Sequence, residues 1–286
     1  MINILLTGAT GFVGQHFLHY NKNRFNITPA SVREHLPLPD LSNINAIVHL
    51  SGKAHEMQPI PDEVYFSANA ELSKKLAVAA KKAGVKQFVY VSSVKVYGNV
   101  MSEYLDENSS CYPDDAYGKS KQLGEQYLQE LEDENFIVSI VRPPLVYGSG
   151  VKGNMLKLMQ LAQKNIPLPF GNINNKRSLV FVDNLIALIN KLIETKTSGI
   201  FIAGDEAPIS TTQLISLIRQ ALNKKPNLVY IPSFVKRIIK KIRNPLYIRL
   251  FGSLVIDNTA TNERLHFIPP FSTEEGIKKM AKDFTK

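Results

Sequence analysis

The stretch INILLTGATGFVGQHFLHY, residues 2–20, predicts a strand, a glycine turn and a helix in direct succession. Its glycines stand at positions 8, 11 and 14. Glycine lets the backbone turn sharply and approach an anion closely, while a helix start supplies free N–H groups and a positive dipole. Because the glycines follow a strand and precede a helix, we expect Gly8, Gly11 and Gly14 to hold the pyrophosphate of a dinucleotide. The alternative is a tight turn that serves helix packing only.

Strands and helices alternate through the first half of the chain. Further strands are predicted at ITPASVR (27–33), AIVHLSG (46–52), the start of KQFVYVSSVKVYG (86–98) and FIVSIVRPPLVYG (136–148). Helices are predicted at 70–84, with a stop at Gly84, and from Asp114 or Asp115 to about Glu134. Apolar strands that alternate with helices indicate a parallel sheet covered on both faces. We therefore predict an α/β fold, a Rossmann-type doubly wound parallel sheet.

The pattern loosens after Gly148, where PLPFGNINNKRS (167–178) is rich in proline, asparagine and glycine. Residues 1–148 are predicted to form the NAD(P)-binding Rossmann domain, which also receives parts of 178–204. Residues 149–286 are predicted to form mainly a smaller, interleaved α/β substrate-binding domain, with a helix at 211–222.

The overall composition is that expected of a soluble globular protein. Hydrophobic residues make up 44 % of the 286 residues and charged residues 21 %. The most apolar run, 179–193, is interrupted by Asp183, Asn184 and Lys191, so no membrane span is expected. Because an apolar, strand-like run starts at residue 2, no signal peptide is expected. With Cys111 as its single cysteine, we expect a cytoplasmic location, no disulfide framework and no cysteine-based metal site; we predict no bound metal.

The net charge of +9 is concentrated in one segment, because residues 207–256 contain nine basic residues and no acidic ones. Such an excess indicates an anionic partner. Within it, FVKRIIKKIR (234–243) alternates apolar and cationic residues at helical spacing. We weigh a weak contact with a membrane surface against packing of the apolar stripe on the substrate domain. Nucleic-acid binding is not expected, since no recognisable motif accompanies the charge.

A tyrosine and a lysine share one face of the predicted helix that starts near Asp115. Tyr117 and Lys121 are four residues apart, and an ammonium beside a phenol favours the phenolate. Ser92 and Ser93 follow an apolar strand, at the sheet edge where parallel-sheet proteins bind ligands. Serine and tyrosine hydroxyls can polarise a carbonyl while the lysine steadies the phenolate. With a nicotinamide nearby, this set makes a hydride-transfer site.

The end of the second predicted strand bears on cofactor choice. An acidic residue there would bind the ribose 2′-hydroxyl of NAD, but Ser31 and Arg33 stand at this end, followed by Glu34. An arginine and a hydroxyl suit a 2′-phosphate, so we predict NADP, with NAD as the alternative. In that alternative Arg33 stacks on adenine.

The motifs TGATGFVG, VSSVKVYG, YGKSK and RPPLVYG, in this order, resemble the extended short-chain dehydrogenase/reductase superfamily of nucleotide-sugar enzymes, also called the NAD-dependent epimerase/dehydratase family. The resemblance covers nearly the whole chain. It implies that Ser93, Tyr117 and Lys121 do the chemistry, and that Asn69, in SANAELSKKL, lies along the cofactor. The full set of cofactor contacts it implies is Gly8, Thr10, Gly11, Phe12, Val13, Gly14, Arg33, Leu50, Ser51, Gly52, Asn69, Tyr117, Lys121 and Pro143.

The resemblance also implies substrate contacts. GVKGNMLKLM places Asn154 and Met155 at positions that contact uridine, with a helix cap as the alternative for Asn154. NNKRSLVFVDNL places Arg177 where an arginine binds the nucleotide diphosphate, and Arg249 is the candidate for a second arginine. Ser93 would contact the sugar. His55 and Glu56 could border the sugar, or could equally be loop residues.

Three activities remain open within the superfamily. Dehydratases carry Thr-Asp-Glu where this chain has Ser93-Val94-Lys95, so the acid and base that eliminate water are missing. The resemblance favours a reductase of a UDP-4-keto-6-deoxy-N-acetylhexosamine, giving a UDP-N-acetylquinovosamine-type sugar for O-antigen and lipopolysaccharide. The alternatives are a UDP-glucose or UDP-N-acetylglucosamine 4-epimerase with tightly bound NAD, and a non-catalytic NADP sensor. A homodimer is expected, since relatives often pair through the helix that carries Tyr117.

Overall fold

The computed structural model describes residues 1–54, 60–98, 104–242 and 244–285; the side chains of residues 244–246 and Arg249 lie outside the description. Its centre is a six-stranded sheet in the order β2-β1-β3-β4-β6-β9, in which every pair is parallel. The strands are β1 (Asn3–Thr7), β2 (Asn26–Ala30), β3 (Ala46–His49), β4 (Gln87–Val91), β6 (Ile137–Arg142) and β9 (Gly199–Ile202).

Helices cover both faces of this sheet. One face carries α1 (Phe12–Tyr20) and α6 (Val182–Thr195), and the other carries α3 (Leu72–Lys82) and α4 (Ala116–Gln129). Strand residues alternate between the two cores, so that Leu6 and Val48 face α1 and α6, whereas Leu5 and Ile47 face α3 and α4. Both sides of each central strand are therefore buried, which explains the continuous apolar runs.

The rest of the chain lies outside this sheet. It contains two short parallel pairs, each of which joins a strand from the first 148 residues to a later one: β7 (Leu145–Tyr147) with β8 (Leu179–Phe181), and β5 (Tyr104–Leu105) with β10 (Val255–Ile256). Its helices are α5 (Gly153–Gln163), α7 (Thr211–Ala221), α8 (Ser233–Ile242), α9 (Asn244–Phe251), α10 (Thr259–Leu265) and α11 (Thr273–Phe284). Between them, α6 packs on α1 and β9 pairs with β6, so the chain returns to the main sheet before it leaves again.

Several element boundaries differ from the sequence expectation. The run 136–148 is two strands, β6 and β7, because Pro143 and Pro144 have no N–H to continue a ladder. The strand expected at 27–33 ends at Ala30. The helix that carries Tyr117 ends at Gln129, five residues before Glu134.

The helix expected from Ala70 begins earlier, at α2 (Asp62–Phe66), and continues through one π-helical turn, Ser67–Glu71, into α3. A π turn inserts one extra residue per turn and is frequent at functional sites. Here it contains Asn69. No amphipathic pattern reveals this turn, because it depends on contacts that Asn69 makes with distant parts of the chain.

Candidate active site

The glycine turn connects β1 to α1 at the point where the strand order reverses between β1 and β3. Gly8 has a φ of +73°, and a Cβ there would lie 2.7 Å from the carbonyl carbon of Leu50. A Cβ on Gly14 would overlap the carbonyl oxygen of Gly8, and the N–H of Gly11 donates to this same oxygen at 2.9 Å. Any larger side chain at Gly8 or Gly14 would therefore force the turn open.

The first turn of α1 has no side-chain cap within residues 1–54 that the structure describes, and it carries no acidic residue. By contrast, Asp115, Ser210 and Ser272 cap α4, α7 and α11. The first N–H groups of a helix have no intrahelical acceptor. The N-terminus of α1 is therefore left open for an anion, at the switch point where such sheets bind dinucleotides.

Asn69 ties the loop after β3 to the helix that carries Tyr117. Its Oδ1 accepts from the N–H of Lys53 at 2.8 Å, and its Nδ2 donates to the Lys53 carbonyl at 3.1 Å and to Ser120 Oγ at 3.0 Å. The hydroxyl of Tyr90 donates to the Asn69 carbonyl at 2.8 Å. A Cβ on Gly52 would lie 2.5 Å from Asn69 Oδ1. Asn69 thus shapes the loop of Leu50, Ser51 and Gly52 that borders the open end of α1.

Ser93 and Tyr117 come together where β4 ends. Ser93 begins a 3₁₀ turn (Val94–Tyr97), accepts from the N–H of Lys95 at 3.2 Å and forms a side-chain hydrogen bond with Tyr117. Asp115 caps α4 by accepting from the N–H of Gly118 at 2.7 Å, which fixes the first turn that bears Tyr117. Ser92, by contrast, is buried. Of the two adjacent serines, Ser93 is the one that reaches the phenol.

Lys121 lies one turn further along α4 and is 5 % exposed. Its Nζ donates to the carbonyl of Val91 at 2.9 Å and stands 4.6 Å from the ring centroid of Tyr90. Burial lowers the pKa of Lys121 to about 8, because the charged form loses hydration. The ammonium is therefore charged at neutral pH, although its pKa lies close to that pH.

The pKa of Tyr117 differs from the sequence expectation. Burial raises it above the ordinary value for tyrosine, and the hydrogen bond with Ser93 acts in the opposite direction. The loss of hydration outweighs the favourable interactions, so the net shift is opposite to the one that a neighbouring cation alone would produce. Tyr117 is accordingly protonated at neutral pH.

Several residues that support this site were not predicted. The ring of Tyr65, in α2, packs edge-on against Tyr117 with centroids 6.2 Å apart. His49 is buried between Thr7 Oγ1 at 2.8 Å and Ser73 Oγ at 3.0 Å. Burial, and secondarily the charge of Lys121, lowers the pKa of His49 to about 3, so this imidazole is neutral. The one signal in the sequence was that His49 lies inside a predicted apolar strand. Such a histidine is equally typical of a core residue whose hydrogen bonds are satisfied, so it does not by itself indicate a functional site.

A buried ion pair anchors α4 to the sheet. Glu125 accepts from Arg142 at 3.0 and 2.6 Å, and the other terminal nitrogen of Arg142 donates to the hydroxyl of Tyr97 at 2.9 Å. Both charged side chains are less than 5 % exposed. Glu125 lies one turn after Lys121, so the pair holds the helix face that carries the lysine.

The remaining predicted cofactor contacts border the same end of the sheet. The N–H of Ser51 donates to Thr7 Oγ1 at 3.2 Å, and the carbonyl of Pro143 accepts from the N–H of Val94 at 3.1 Å. Thr10 is exposed, and Phe12 and Val13 are half-buried in the first turn of α1. Arg33 is exposed beyond the end of β2, and the neighbouring Glu34 accepts from Ser67 Oγ at 3.2 Å.

The predicted substrate residues occupy different environments. Asn154 is exposed in the first turn of α5, whose cap residue is Lys152, so Asn154 is not the cap. The side chain of Met155 is 3 % exposed and packs in the main core. The guanidinium of Arg177 donates to the carbonyls of Ile248 and Gly252 at 3.4 and 3.3 Å, at the end of α9. Burial lowers its pKa.

The other substrate candidates lie outside the described part of the chain: the side chain of Arg249, and His55 and Glu56.

The basic segment around Arg249 is not uniform. Arg219 is buried at the end of α7, and its guanidinium donates to carbonyls on two loops, among them Ile166 at 2.6 Å and Pro226 at 2.7 Å. This arginine joins two loops and is not free to bind a ligand.

The geometry does not supply the acid and base of a dehydratase. Val94 is buried, and Lys95 Nζ lies 4.0 Å from the carboxylate of Asp115.

Within the described ranges, no group of three His, Cys, Asp or Glu side chains is placed to hold a metal ion. Across the same ranges, every helix is too short or too polar to cross a bilayer.

The class of protein follows from three features taken together. They are a doubly wound sheet, an open helix N-terminus after a glycine turn, and the set of Ser93, Tyr117 and Lys121. These features are those of an NAD(P)-dependent enzyme of the extended short-chain dehydrogenase/reductase type. Residues 4–204 match the NAD dependent epimerase/dehydratase family. The chain belongs to this family, and it is an oxidoreductase or an epimerase.

Relatives of known name cover almost the whole chain. The UDP-glucose 4-epimerase of Vibrio cholerae is 34 % identical over 314 residues, which covers 99 % of this chain and 95 % of that protein. The N-acetyl-alpha-D-glucosaminyl-diphospho-ditrans,octacis-undecaprenol 4-epimerase of Escherichia coli O157:H7 is 24 % identical, over 97 % of this chain and 93 % of its own length. The crystal structure of UDP-N-acetylglucosamine 4-epimerase from Bacillus cereus has the same fold, with a TM-score of 0.79 at 19 % identity over 99 % of both chains.

The residues present fit a nicotinamide dinucleotide. The cradle beside Gly8 and Gly14 has no room for a Cβ, and the first turn of α1 is left without a side-chain acceptor. Gly8, Gly11 and Gly14 would hold the pyrophosphate, and Tyr117 and Lys121 stand where β4 and α4 meet the same edge of the sheet. The bound cofactor supplies reversible transfer of hydride.

Proposed function

We propose that this protein is a 4-epimerase of UDP-hexoses, with UDP-glucose and UDP-N-acetylglucosamine as the substrates to examine first. The observation that carries the proposal is the 34 % identity to a UDP-glucose 4-epimerase over 99 % of this chain. It is supported by the hydrogen bond between Ser93 and Tyr117, next to a buried Lys121.

Each residue of the set has a role that follows from its environment. The hydroxyls of Ser93 and Tyr117 would hold the oxygen on C4 of the sugar. As C4 is oxidised to a ketone, its hydride would pass to the nicotinamide that the glycine turn and α1 would hold, and the phenolate of Tyr117 would take the hydroxyl proton. It returns this proton when the C–H bond re-forms on the opposite face. Since burial raises the pKa of Tyr117, a cation must favour the phenolate, and we assign this role to the charged Lys121, one turn along α4.

Substrate recognition is proposed to involve the second half of the chain. Arg177 offers a planar guanidinium suited to a diphosphate, and the exposed Asn154 in α5 offers an amide to the uracil. The side chain of Met155 is buried, so we assign its contact to the backbone. Arg249 remains the candidate for a second phosphate contact.

A second candidate is the reductase of a UDP-4-keto-6-deoxy-N-acetylhexosamine. It is favoured by the exposed Arg33 beyond β2, which suits the 2′-phosphate of an exchanging NADPH. The same Ser93, Tyr117 and Lys121 would act, with Tyr117 as proton donor to the C4 oxygen.

One experiment with two arms separates these functions. In the first arm, purified protein is incubated with UDP-glucose or UDP-N-acetylglucosamine without added reduced cofactor, and the 4-epimer is measured by chromatography. In the second arm, the 4-keto sugar nucleotide is supplied with NADPH, and oxidation of the cofactor is followed by absorbance. Epimer in the first arm supports the proposal; stoichiometric NADPH consumption with no epimer would replace it by the reductase.

Matched variants show whether the proposed site is responsible. Tyr117→Phe removes the proton-transfer group and is expected to lower turnover by at least about a hundredfold. Tyr127→Phe, ten residues along the same helix, removes only a surface hydrogen bond with Glu71 and is expected to keep full activity. A non-catalytic NADP sensor would bind cofactor but show no turnover in either arm.

We also propose that the enzyme is a cytoplasmic homodimer that pairs through the α4 face. Light scattering after size-exclusion chromatography tests the dimer. A single species with the mass of one chain, at the concentrations used for assay, would refute it.

A further inference from the structure

An apolar stripe on α8 faces outward. Phe234, Ile238 and Ile242 recur every four residues along this helix and are 62 %, 51 % and 72 % exposed. Side chains at this spacing lie on one face of a helix. None of the described α8 residues is fully buried. The expectation that the whole apolar face packs on the substrate domain is therefore wrong for these three residues.

Other side chains of α8 attach the helix to the protein. Val235 packs on a small core that includes Leu168 and Ile231, and Lys236 Nζ donates to the carbonyl of Asn172 at 3.1 Å. These contacts hold α8 against the body of the domain. The exposed stripe is consequently a fixed feature of the surface, and its exposure does not depend on the helix leaving the protein.

Cations flank the stripe. At 100° per residue, Arg237 and Lys241 lie directly beside Phe234, Ile238 and Ile242, and both are exposed. Lys240 lies further round, 5.6 Å from the ring of Tyr247. No acidic residue occurs anywhere in 207–256 to neutralise this charge. The surface therefore combines apolar side chains with a positively charged rim.

We propose that α8 docks this protein on an anionic lipid bilayer, with Phe234, Ile238 and Ile242 entering the interface and Arg237 and Lys241 at the headgroups. A stripe of large apolar residues beside lysine and arginine is the pattern of helices that lie in the plane of a membrane surface. A second copy of this chain would bring the same cations together and repel. A nucleic acid would match the cations but leave the apolar stripe in water.

Docking would place the substrate-binding half next to the membrane. α8 packs on α9, and the carbonyls that accept from the Arg177 guanidinium belong to Ile248, in the last turn of α9, and to Gly252, directly after it. The proposed diphosphate contact is therefore one helix away from the bilayer. This inference goes beyond the proposed 4-epimerase function and does not depend on it, because docking is measured without turnover.

The test is co-sedimentation of the full-length protein with vesicles. We expect binding to equimolar phosphatidylcholine and phosphatidylglycerol at low salt, and weak binding to phosphatidylcholine alone. Phe234→Ser/Ile238→Ser/Ile242→Ser should lower the partition coefficient at least about tenfold. Arg237→Gln/Lys241→Gln should lower it about fivefold for each charge, and circular dichroism and thermal unfolding confirm that each variant is folded.

Two control variants separate docking by α8 from diffuse attraction. Ile268→Ser removes an apolar side chain that is 86 % exposed on another part of the surface. Lys224→Gln/Lys225→Gln removes the same charge from the same basic segment, outside α8. Both should bind vesicles like the wild type. The proposal is overturned if the wild type fails to sediment with anionic vesicles at low salt, or if the triple variant binds as well as the wild type. It is equally overturned if Lys224→Gln/Lys225→Gln loses as much binding as Arg237→Gln/Lys241→Gln. It is also overturned if the triple variant instead dissociates an oligomer, because the stripe would then be a contact between copies.

Discussion

Replacing Lys121 by methionine is expected to stabilise the fold at neutral pH while abolishing activity. Lys121 is 5 % exposed, and its pKa falls from 10.5 to about 8 because burial removes water from the ammonium. A group that is harder to charge in the folded state than in the unfolded state destabilises the fold wherever it must be charged. Methionine has a similar length and carries no charge.

The size of the effect follows from two opposing contributions. A depression of the pKa from 10.5 to about 8 corresponds to about 3 kcal/mol of lost stability at neutral pH. Methionine also gives up the 2.9 Å hydrogen bond to the Val91 carbonyl and the cation–π contact with Tyr90, together about 1–2 kcal/mol. The net expectation is a gain of about 1–2 kcal/mol, which raises Tm by about 2–8 °C.

The stability difference between Lys121→Met and the wild type is expected to change with pH in a defined direction. Because the folded-state pKa is depressed, the penalty is complete below about 8 and is relieved as pH rises from about 8 to 10.5. Lys121→Met should therefore be more stable than the wild type at about pH 7, and its advantage should shrink across that window. Urea unfolding at several pH values measures the difference directly.

Lys119→Met is the matched control, since it removes an exposed lysine from the same helix and should leave stability nearly unchanged. The reasoning is refuted if Lys121→Met is less stable than the wild type at neutral pH with an unchanged urea slope. It is also refuted if the stability difference between Lys121→Met and the wild type is independent of pH.

Three further variants test other parts of the site. Gly14→Ala places a methyl group on the Gly8 carbonyl oxygen, so dinucleotide affinity measured by calorimetry should fall at least about tenfold; unchanged affinity would show that the turn does not form the cofactor cradle. Arg33→Ala should weaken NADPH about tenfold and NADH hardly at all if Arg33 binds the 2′-phosphate; equal loss for both would favour stacking on adenine. Glu125→Gln leaves Arg142 buried without its counter-charge and should cost about 3–5 kcal/mol in urea unfolding; an unchanged midpoint would mean that the ion pair contributes no net stability.

Features that depend on neighbouring residues were predictable from the sequence. The glycine turn between β1 and α1, a cap of α4 at Asp114 or Asp115 and the common face of Tyr117 and Lys121 all depend on spacings of a few residues, and the structure selects Asp115 as the cap. The missing acid–base pair at Val94 and Lys95 could also be identified, because the family resemblance gives the positions and residue type decides the rest. These local rules predicted the fold class and made Tyr117, Lys121, Ser92 and Ser93 candidates, and the family resemblance then selected Ser93, Tyr117 and Lys121.

Other features depend on residues that are distant in the chain and meet only after packing. The π turn at Ser67–Glu71 is held by contacts of Asn69 with Lys53, Tyr90 and Ser120, which no local pattern shows. The pKa of Tyr117 is raised because the fold buries it, although its helical neighbour is a cation. Desolvation depends on everything that surrounds a group, so sequence spacing could not predict its direction.

The basic segment shows the same division. The sequence by itself determined its charge and the amphipathic period of α8. Only the tertiary structure decided that Arg219 is buried among carbonyls while Phe234, Ile238 and Ile242 are exposed. The physical reason is that a helical period specifies which residues share a face, whereas the positions of the other helices and loops decide whether that face is covered or left in water.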